Sequence, residues 1–384
     1  MAKIRWVNVM HLYQPPWQNA AVLDRVVRES YSLIAGALEK NPSFRMTLNL
    51  TGSLIELLEE RGHRHILDAL KKSYLRGQIE ITGSAFSHAF LPQLPDHEIA
   101  RQITLQEQIL RKHFAGWQRA GFFLPEMAYS TRAAALIRAQ GYRWIILDPI
   151  NMRTAPNTSV KYLSRRSGLA VVFRNRQISK AYPPEEIAKL LPPSTDRTII
   201  TATDGELYGH FHKDWQNHLK KIITSNAVTT ATVSEYLKTL TKVEPVYLRS
   251  ASWESRDRSM HTNNPFSIWY NATNPIHKRL WKLAHLAIGH LQRNGKDPNF
   301  YWARKHLDRG LASCSWWWAS GVKTSPFAPI GWNPDETEKG ARELIKSIRS
   351  LRKITVPDKM QAEKLYHDLM LALWLRHWHT YGRR

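Results

Sequence analysis

The sequence predicts an α/β fold: a closed or nearly closed barrel of βα units, followed by a helical C-terminal region. Three observations predict it. Short runs rich in β-formers alternate with helical stretches, as βα units on a parallel sheet require. Seven or eight such units fit into about 250 residues, the size of an α/β barrel. After about residue 255 the strand pattern stops and apolar residues recur only at helical spacing.

Taken in order, the expected strands are Ile4–Met10, Met46–Leu50, Gln78–Thr82, Gly121–Leu124, Trp144–Leu147, Ala170–Phe173, Thr198–Thr203 and Val246–Ser250. Helical segments separate the early ones, at Leu23–Leu38, Ser53–Lys72 and Asp96–His113. Residues 1–255 are therefore expected to form the catalytic barrel, and 256–384 a helical domain packing on it. In the second region, His277–Arg293 places Leu280, Ala284, Ala287, Ile288 and Leu291 on one face. Further helices are expected from Pro334 to about Leu351 and from Asp358 to about Thr380. In the last, Trp374, Leu375 and Trp378 widen the apolar stripe, which predicts a deeply packed helix.

Composition narrows the function classes. The chain has 384 residues, 43% of them apolar, enough to bury a substantial core. Its single cysteine, Cys314, excludes an internal disulfide and is expected to be a small buried residue. The N-terminal residues lack the apolar run of a signal peptide, and no stretch reaches the roughly 20 apolar residues that span a bilayer. A soluble, cytoplasmic protein is expected. The formal net charge of +23 invites a nucleic-acid reading. The basic residues are spread along the whole chain, however, without a basic block, a zinc-finger spacing or an aromatic ribonucleoprotein motif. An anionic partner or a generally basic surface explains the charge as well. The 15 tryptophans suit stacking on sugar rings, although core packing explains most of them, including the Trp316–Trp318 run.

Polar residues gather at four places where a strand pattern ends, the active-site face of an α/β barrel. They are His11 to Pro16, Glu80 with Gly83 to His88, Leu124-Pro125-Glu126, and Asp204-Gly205-Glu206. Carboxylates at two strand ends are what glycoside hydrolysis needs. One attacks the anomeric carbon; the other protonates the leaving oxygen and then activates water or an acceptor sugar. Alone, Asp204-Gly205 reads as a turn, Glu126 as a helix-terminal carboxylate and His11 as a satisfied buried histidine. Their combination carries more weight than any one of them.

Together these segments resemble the ordered motifs of glycoside hydrolase family 57. His11, Gln14 and Pro15 match the first motif and Gly83 to Pro92 the second. Gly121 to Glu126 match the third and Asp204 to Gly209 the fourth. The resemblance implies a distorted (β/α)7 barrel, a retaining mechanism on α-glycosidic bonds, no obligatory cofactor and no catalytic metal. It implies Glu126 as nucleophile and Asp204 as general acid/base. Sugar contacts would fall on His11, Gln14, Glu80, His88, Phe123, Glu206, Phe211 and Trp253. Phe123 and Phe211 stand where the family commonly has tryptophan; both keep a stacking surface but lack an indole donor. The implied activity is an α-amylase-like hydrolase of oligo- or polysaccharides. A 4-α-glucanotransferase, a branching enzyme or an α-galactosidase are the alternatives within the family.

Two readings outside it remain. A metal-dependent deacetylase would need a His-x-x-x-His pair, which is absent; His210-Phe211-His212 is the nearest ligand-like cluster. A catalytically inactive glycan or nucleic-acid binder on the same barrel would normally have lost one of the two carboxylates, and both are present.

Overall fold

The computed structural model describes residues 2–323 and 330–381. Ten strands are described: β1 (Ile4–Leu12), β2 (Met46–Leu50), β3 (Ile79–Ile81), β4 (Gly121–Phe122), β5 (Trp144–Leu147), β6 (Lys161–Ser164), β7 (Ala170–Phe173), β8 (Arg197–Asp204), β9 (Val228–Ala231) and β10 (Val243–Val246). Seven of them make a distorted parallel barrel in the order β8-β1-β2-β3-β4-β5-β7. The ladders β8–β1, β1–β2, β2–β3, β4–β5 and β5–β7 are all parallel. Two seams are thinner. A parallel bridge between Gly83 and Phe122 joins β3 to β4. The ring closes where Asn175 N–H donates to the Ile200 carbonyl over 2.7 Å, joining the end of β7 to β8.

Buried strands need apolar residues on both faces, and β1 reads that way: eight of its nine residues are buried. The expected eighth strand, Val246–Ser250, is displaced. Residues Val243–Val246 pair instead with β6, which runs antiparallel to β7 outside the ring. Here Pro245 sits opposite Leu163 in a short two-strand edge, where a missing N–H does little harm. The sequence pattern missed β6 and β9 because neither is an apolar run. β9, Val-Thr-Thr-Ala, lies along Ile4–Val7, the stretch of β1 that β2 leaves unpaired.

Two expected helices are interrupted. Leu23–Leu38 is a helix over Ala20–Val26, a π-helical turn over Val27–Tyr31 and a helix over Ser32–Lys40. Ser53–Lys72 breaks at Gly62, whose φ of 79° ends Gly52–Glu60 before Arg64–Leu75 begins.

The chain divides into two compact units. The first holds residues 1–14, 18–86 and 91–253; the second holds 15–17, 87–90 and 254–384. The second is helical, with Pro275–Arg293, Phe300–Gly310, Pro334–Ser350 and Val356–Thr380 as its longer helices. Trp316 is fully buried in it and stacks on Trp281 at 4.2 Å, while Trp317 and Trp318 are half-buried. Two expectations are corrected here. Cys314 is half-buried rather than buried. Helix Val356–Thr380 buries only Ala362, Tyr366, Leu369 and Leu373, and Trp378 is 61% exposed. Its apolar residues surround the helix instead of widening one stripe, so only one side is covered.

Candidate active site

The C-terminal ends of β1, β4 and β8 carry the central residues. β1 and β8 run in register through His11 and Asp204, so these two residues are neighbours across the ladder. The His11 Nδ1 lies 2.7 Å from Asn49 Oδ1 on β2, and Asn49 Nδ2 donates to Thr82 Oγ1 at 3.0 Å. That second bond turns the Asn49 oxygen towards the imidazole, so Nδ1 carries the proton. Burial pushes the His11 pKa down to about 4 against the opposing effect of the Asn49 bond, so the ring is neutral near pH 7. The ring stacks on Phe123 at 4.8 Å and meets Trp253 edge-on at 6.1 Å.

Glu126 follows β4 in a short 3₁₀ turn opened by Pro125. It has φ 60° and ψ 15°, and Met127 is also left-handed at φ 47°. Two consecutive non-glycine residues in that region store roughly 1–3 kcal/mol each, so the surroundings must impose them. Trp253 does so twice. Its backbone N–H donates to the Glu126 carbonyl at 3.2 Å and its indole Nε1–H to Glu126 Oε2 at 3.1 Å. Glu126 is only 8% exposed. A chain of direct neighbours thus runs from Glu126 through Trp253 and His11 to Asp204.

Asp204 precedes the 3₁₀ turn Gly205–Leu207, and Glu206 within it is buried. Gln14 Nε2 donates to Glu206 Oε1 at 2.8 Å and Tyr31 Oη–H at 2.5 Å. Burial raises the Glu206 pKa although both bonds lower it. Burial likewise raises Tyr31 well above 10, helped by the charges of Glu206 and Asp204. The π-helical turn explains how Tyr31 gets there. It also directs Ser30 Oγ–H to the Gly205 carbonyl at 2.8 Å. The extra residue in a π turn re-aims successive side chains, here onto the loop that carries the carboxylates. Gly209 closes that loop at φ 95°, and a Cβ there would stand 2.0 Å from the Glu29 carbonyl oxygen.

Three more of the expected sugar contacts have their own neighbours. Glu80 is level with Thr47 and Val9, one inward layer beneath His11 and Asn49. Its carboxylate accepts from Ser234 N–H at 3.0 Å, from the Ser234 hydroxyl and from Thr47, at the N-terminus of helix Val233–Lys238. It anchors a helix start, which the dipole favours. His88 belongs to the second unit, with φ 57° and Nδ1 at 2.9 Å from Ser313 Oγ. Phe211 is 51% exposed on the turn after Gly209, where its N–H donates to the Glu206 carbonyl.

Among the described residues, no group of three or more His, Cys, Asp or Glu could hold a metal ion. His210 instead bonds Glu29 at 2.7 Å, and His212 stacks on Tyr182 at 4.2 Å. No described helix is long and apolar enough to cross a membrane.

Sequence reasoning missed Tyr31, Asp148 and Arg174. The last two left a signal: each is a charged residue directly after an apolar strand, β5 and β7. Tyr31 left none, because only the π turn brings it to the site.

A model of glycosyl hydrolase family 57 matches residues 9–249, which include all four motif segments. The chain belongs to this family. Among relatives, an α-amylase of Pyrococcus horikoshii is 23% identical over 275 residues, 66% of this chain and 43% of that protein. A 4-α-glucanotransferase of Thermococcus litoralis is 24% identical over 277 residues, covering 66% and 41%. The chain thus spans about two-fifths of the length of these curated relatives. The crystal structure of the T. litoralis 4-α-glucanotransferase superposes with TM-score 0.71 at 20% identity, over 92% of this chain and 60% of that one. A family 57-type branching enzyme from P. horikoshii gives 0.69 at 16%, over 97% of each chain. These likenesses establish the family 57 fold.

Proposed function

We propose that the protein is a retaining α-glucan-active enzyme in which Glu126 is the nucleophile and Asp204 the general acid/base. The observation that carries this reading is the holding of Glu126. A buried carboxylate sits in a strained left-handed turn at a strand end, with its orientation set by Trp253 and linked through His11 to a second strand-end carboxylate. In the reaction, a Glu126 oxygen bonds to the anomeric carbon as the glycosidic bond breaks, and the Asp204 carboxyl gives its proton to the leaving oxygen. Asp204, now a carboxylate, takes a proton from water or a sugar hydroxyl, whose oxygen displaces Glu126. His11, neutral, adds no charge beside the two carboxylates.

The substrate class is a polysaccharide or oligosaccharide of α-linked glucose, supported by the names of the α-amylase and 4-α-glucanotransferase relatives. Hydrolysis and transfer share the glycosyl-enzyme and differ only in the acceptor. A cytoplasmic site of action completes the reading, supported by the lone cysteine. The test is incubation with starch and maltooligosaccharides, resolving products by chain length. Shorter products only mean hydrolysis; longer ones mean transfer. Glu126→Gln should abolish both while leaving the thermal transition in place, and near-normal turnover by this variant would sink the assignment.

A further inference from the structure

Trp253 contacts more than Glu126 and His11. The Arg174 guanidinium lies over its indole face, 5.4 Å from the ring centroid. Arg174 directly follows β7, is 5% exposed, and is fixed at three points. Its Nε and Nη2 sit 2.9 and 2.8 Å from Asp148 Oδ2 at the end of β5, and its Nη1 donates to the Ala202 carbonyl on β8 at 3.0 Å. Asp148 is fully buried and also accepts from Arg176 Nη1 at 3.0 Å. Arg176 Nη2 reaches the Trp253 carbonyl at 3.4 Å.

One buried aspartate therefore faces two arginines. Asp148 pairs with both, and the Arg174 guanidinium keeps its positive charge inside the site. That charge lies on the π face of the indole whose N–H bonds Glu126. A cation over the ring draws electron density from it and makes the N–H a stronger donor to a carboxylate. The indole holds Oε2 specifically, so ring orientation sets carboxylate orientation.

We propose that Arg174, braced by Asp148, is a positioning residue that acts on the Glu126 carboxylate through the Trp253 indole. It touches no substrate. It deepens the proposed mechanism and rests on the reading of Glu126 as nucleophile. Its removal should lower kcat with little change in KM, because the quality of the nucleophile alters while sugar contacts stay.

The experiment is a double-mutant cycle on maltooligosaccharide turnover. Arg174→Lys loses the planar fork and should lower kcat on the order of tenfold. Trp253→Phe keeps a ring for the cation but deletes the N–H. If Arg174 acts through that N–H, Arg174→Lys costs less than about threefold in the Trp253→Phe background, the mark of coupled residues. An equal cost in both backgrounds, or no cost in the parent, overturns the proposal. The indole ¹H–¹⁵N resonance of Trp253, assigned by its loss in Trp253→Phe, provides a readout that needs no turnover. It should shift on Arg174→Lys, and an unmoved resonance counts against the coupling. The nucleophile is tested separately by adding azide to Glu126→Ala. An inverted glycosyl azide supports that reading; its absence with the coupling intact shows that the reading, not the coupling, has failed.

Discussion

Tyr31→Phe probes the network beside the acid/base with a single atom. The hydroxyl removed is fully buried and donates to Glu206 Oε1 at 2.5 Å, beside the Gln14 bond at 2.8 Å. A hydrogen bond to a charged group contributes about 1.5–3 kcal/mol, and one to a neutral group about half that. The cost of the variant therefore depends on whether Glu206 is ionised. In the parent, burial already raises the Glu206 pKa above the ordinary carboxylate value. Stability linked to such a group is fully present below the unfolded-state value and is lost as pH rises through the folded-state one. Losing the Tyr31 donor raises the folded value further, so the deficit relative to the parent opens as pH climbs. Calorimetry of parent and variant between pH 5 and 9 reads this directly. At pH 9 the deficit should be about 2 kcal/mol, a Tm loss of about 5 °C for a unit of this size. Towards pH 5 it should be smaller. A loss that is constant across that range, or greater at pH 5, would refute the view of Glu206 as a carboxylate held ionisable by Tyr31 and Gln14.

Two further outcomes are expected. Gly209→Ala should destabilise the loop by about 3 kcal/mol or more, since its Cβ meets the Glu29 carbonyl oxygen at 2.0 Å with φ at 95°; an unchanged Tm would contradict the described loop. Glu80→Gln should lower stability by about 1–2 kcal/mol by weakening the acceptor for Ser234 and Thr47. Its KM for glucan should stay within about twofold, whereas a raised KM with an unchanged Tm would return Glu80 to the sugar site.

The contrast between Glu126 and Glu80 shows why part of the site was legible in the chain and part was not. Both are strand-associated glutamates near a glycine. Glu126 lies beyond its strand, after Leu124 and Pro125, where the chain has left the ladder and a side chain can face the cleft. Glu80 lies inside β3, and register alone decides which layer it enters. Two residues advance about 6.6 Å along a strand, enough to move a carboxylate from one layer to the layer beneath. Sequence periodicity gives the parity of a strand residue but not its level against neighbours from other strands.

The apolar runs determined by themselves which segments become β1, β2, β5 and β7, because strands buried on both faces leave little choice of residue. The order of the motif carboxylates and their positions at strand ends were equally written in the chain. Only the tertiary structure decided that seven strands close the ring, that a π turn delivers Tyr31, and that Arg174 reaches Trp253 across 79 residues. Those are contacts between residues far apart in sequence. Their geometry depends on how strands stack and stagger, and no local propensity encodes that.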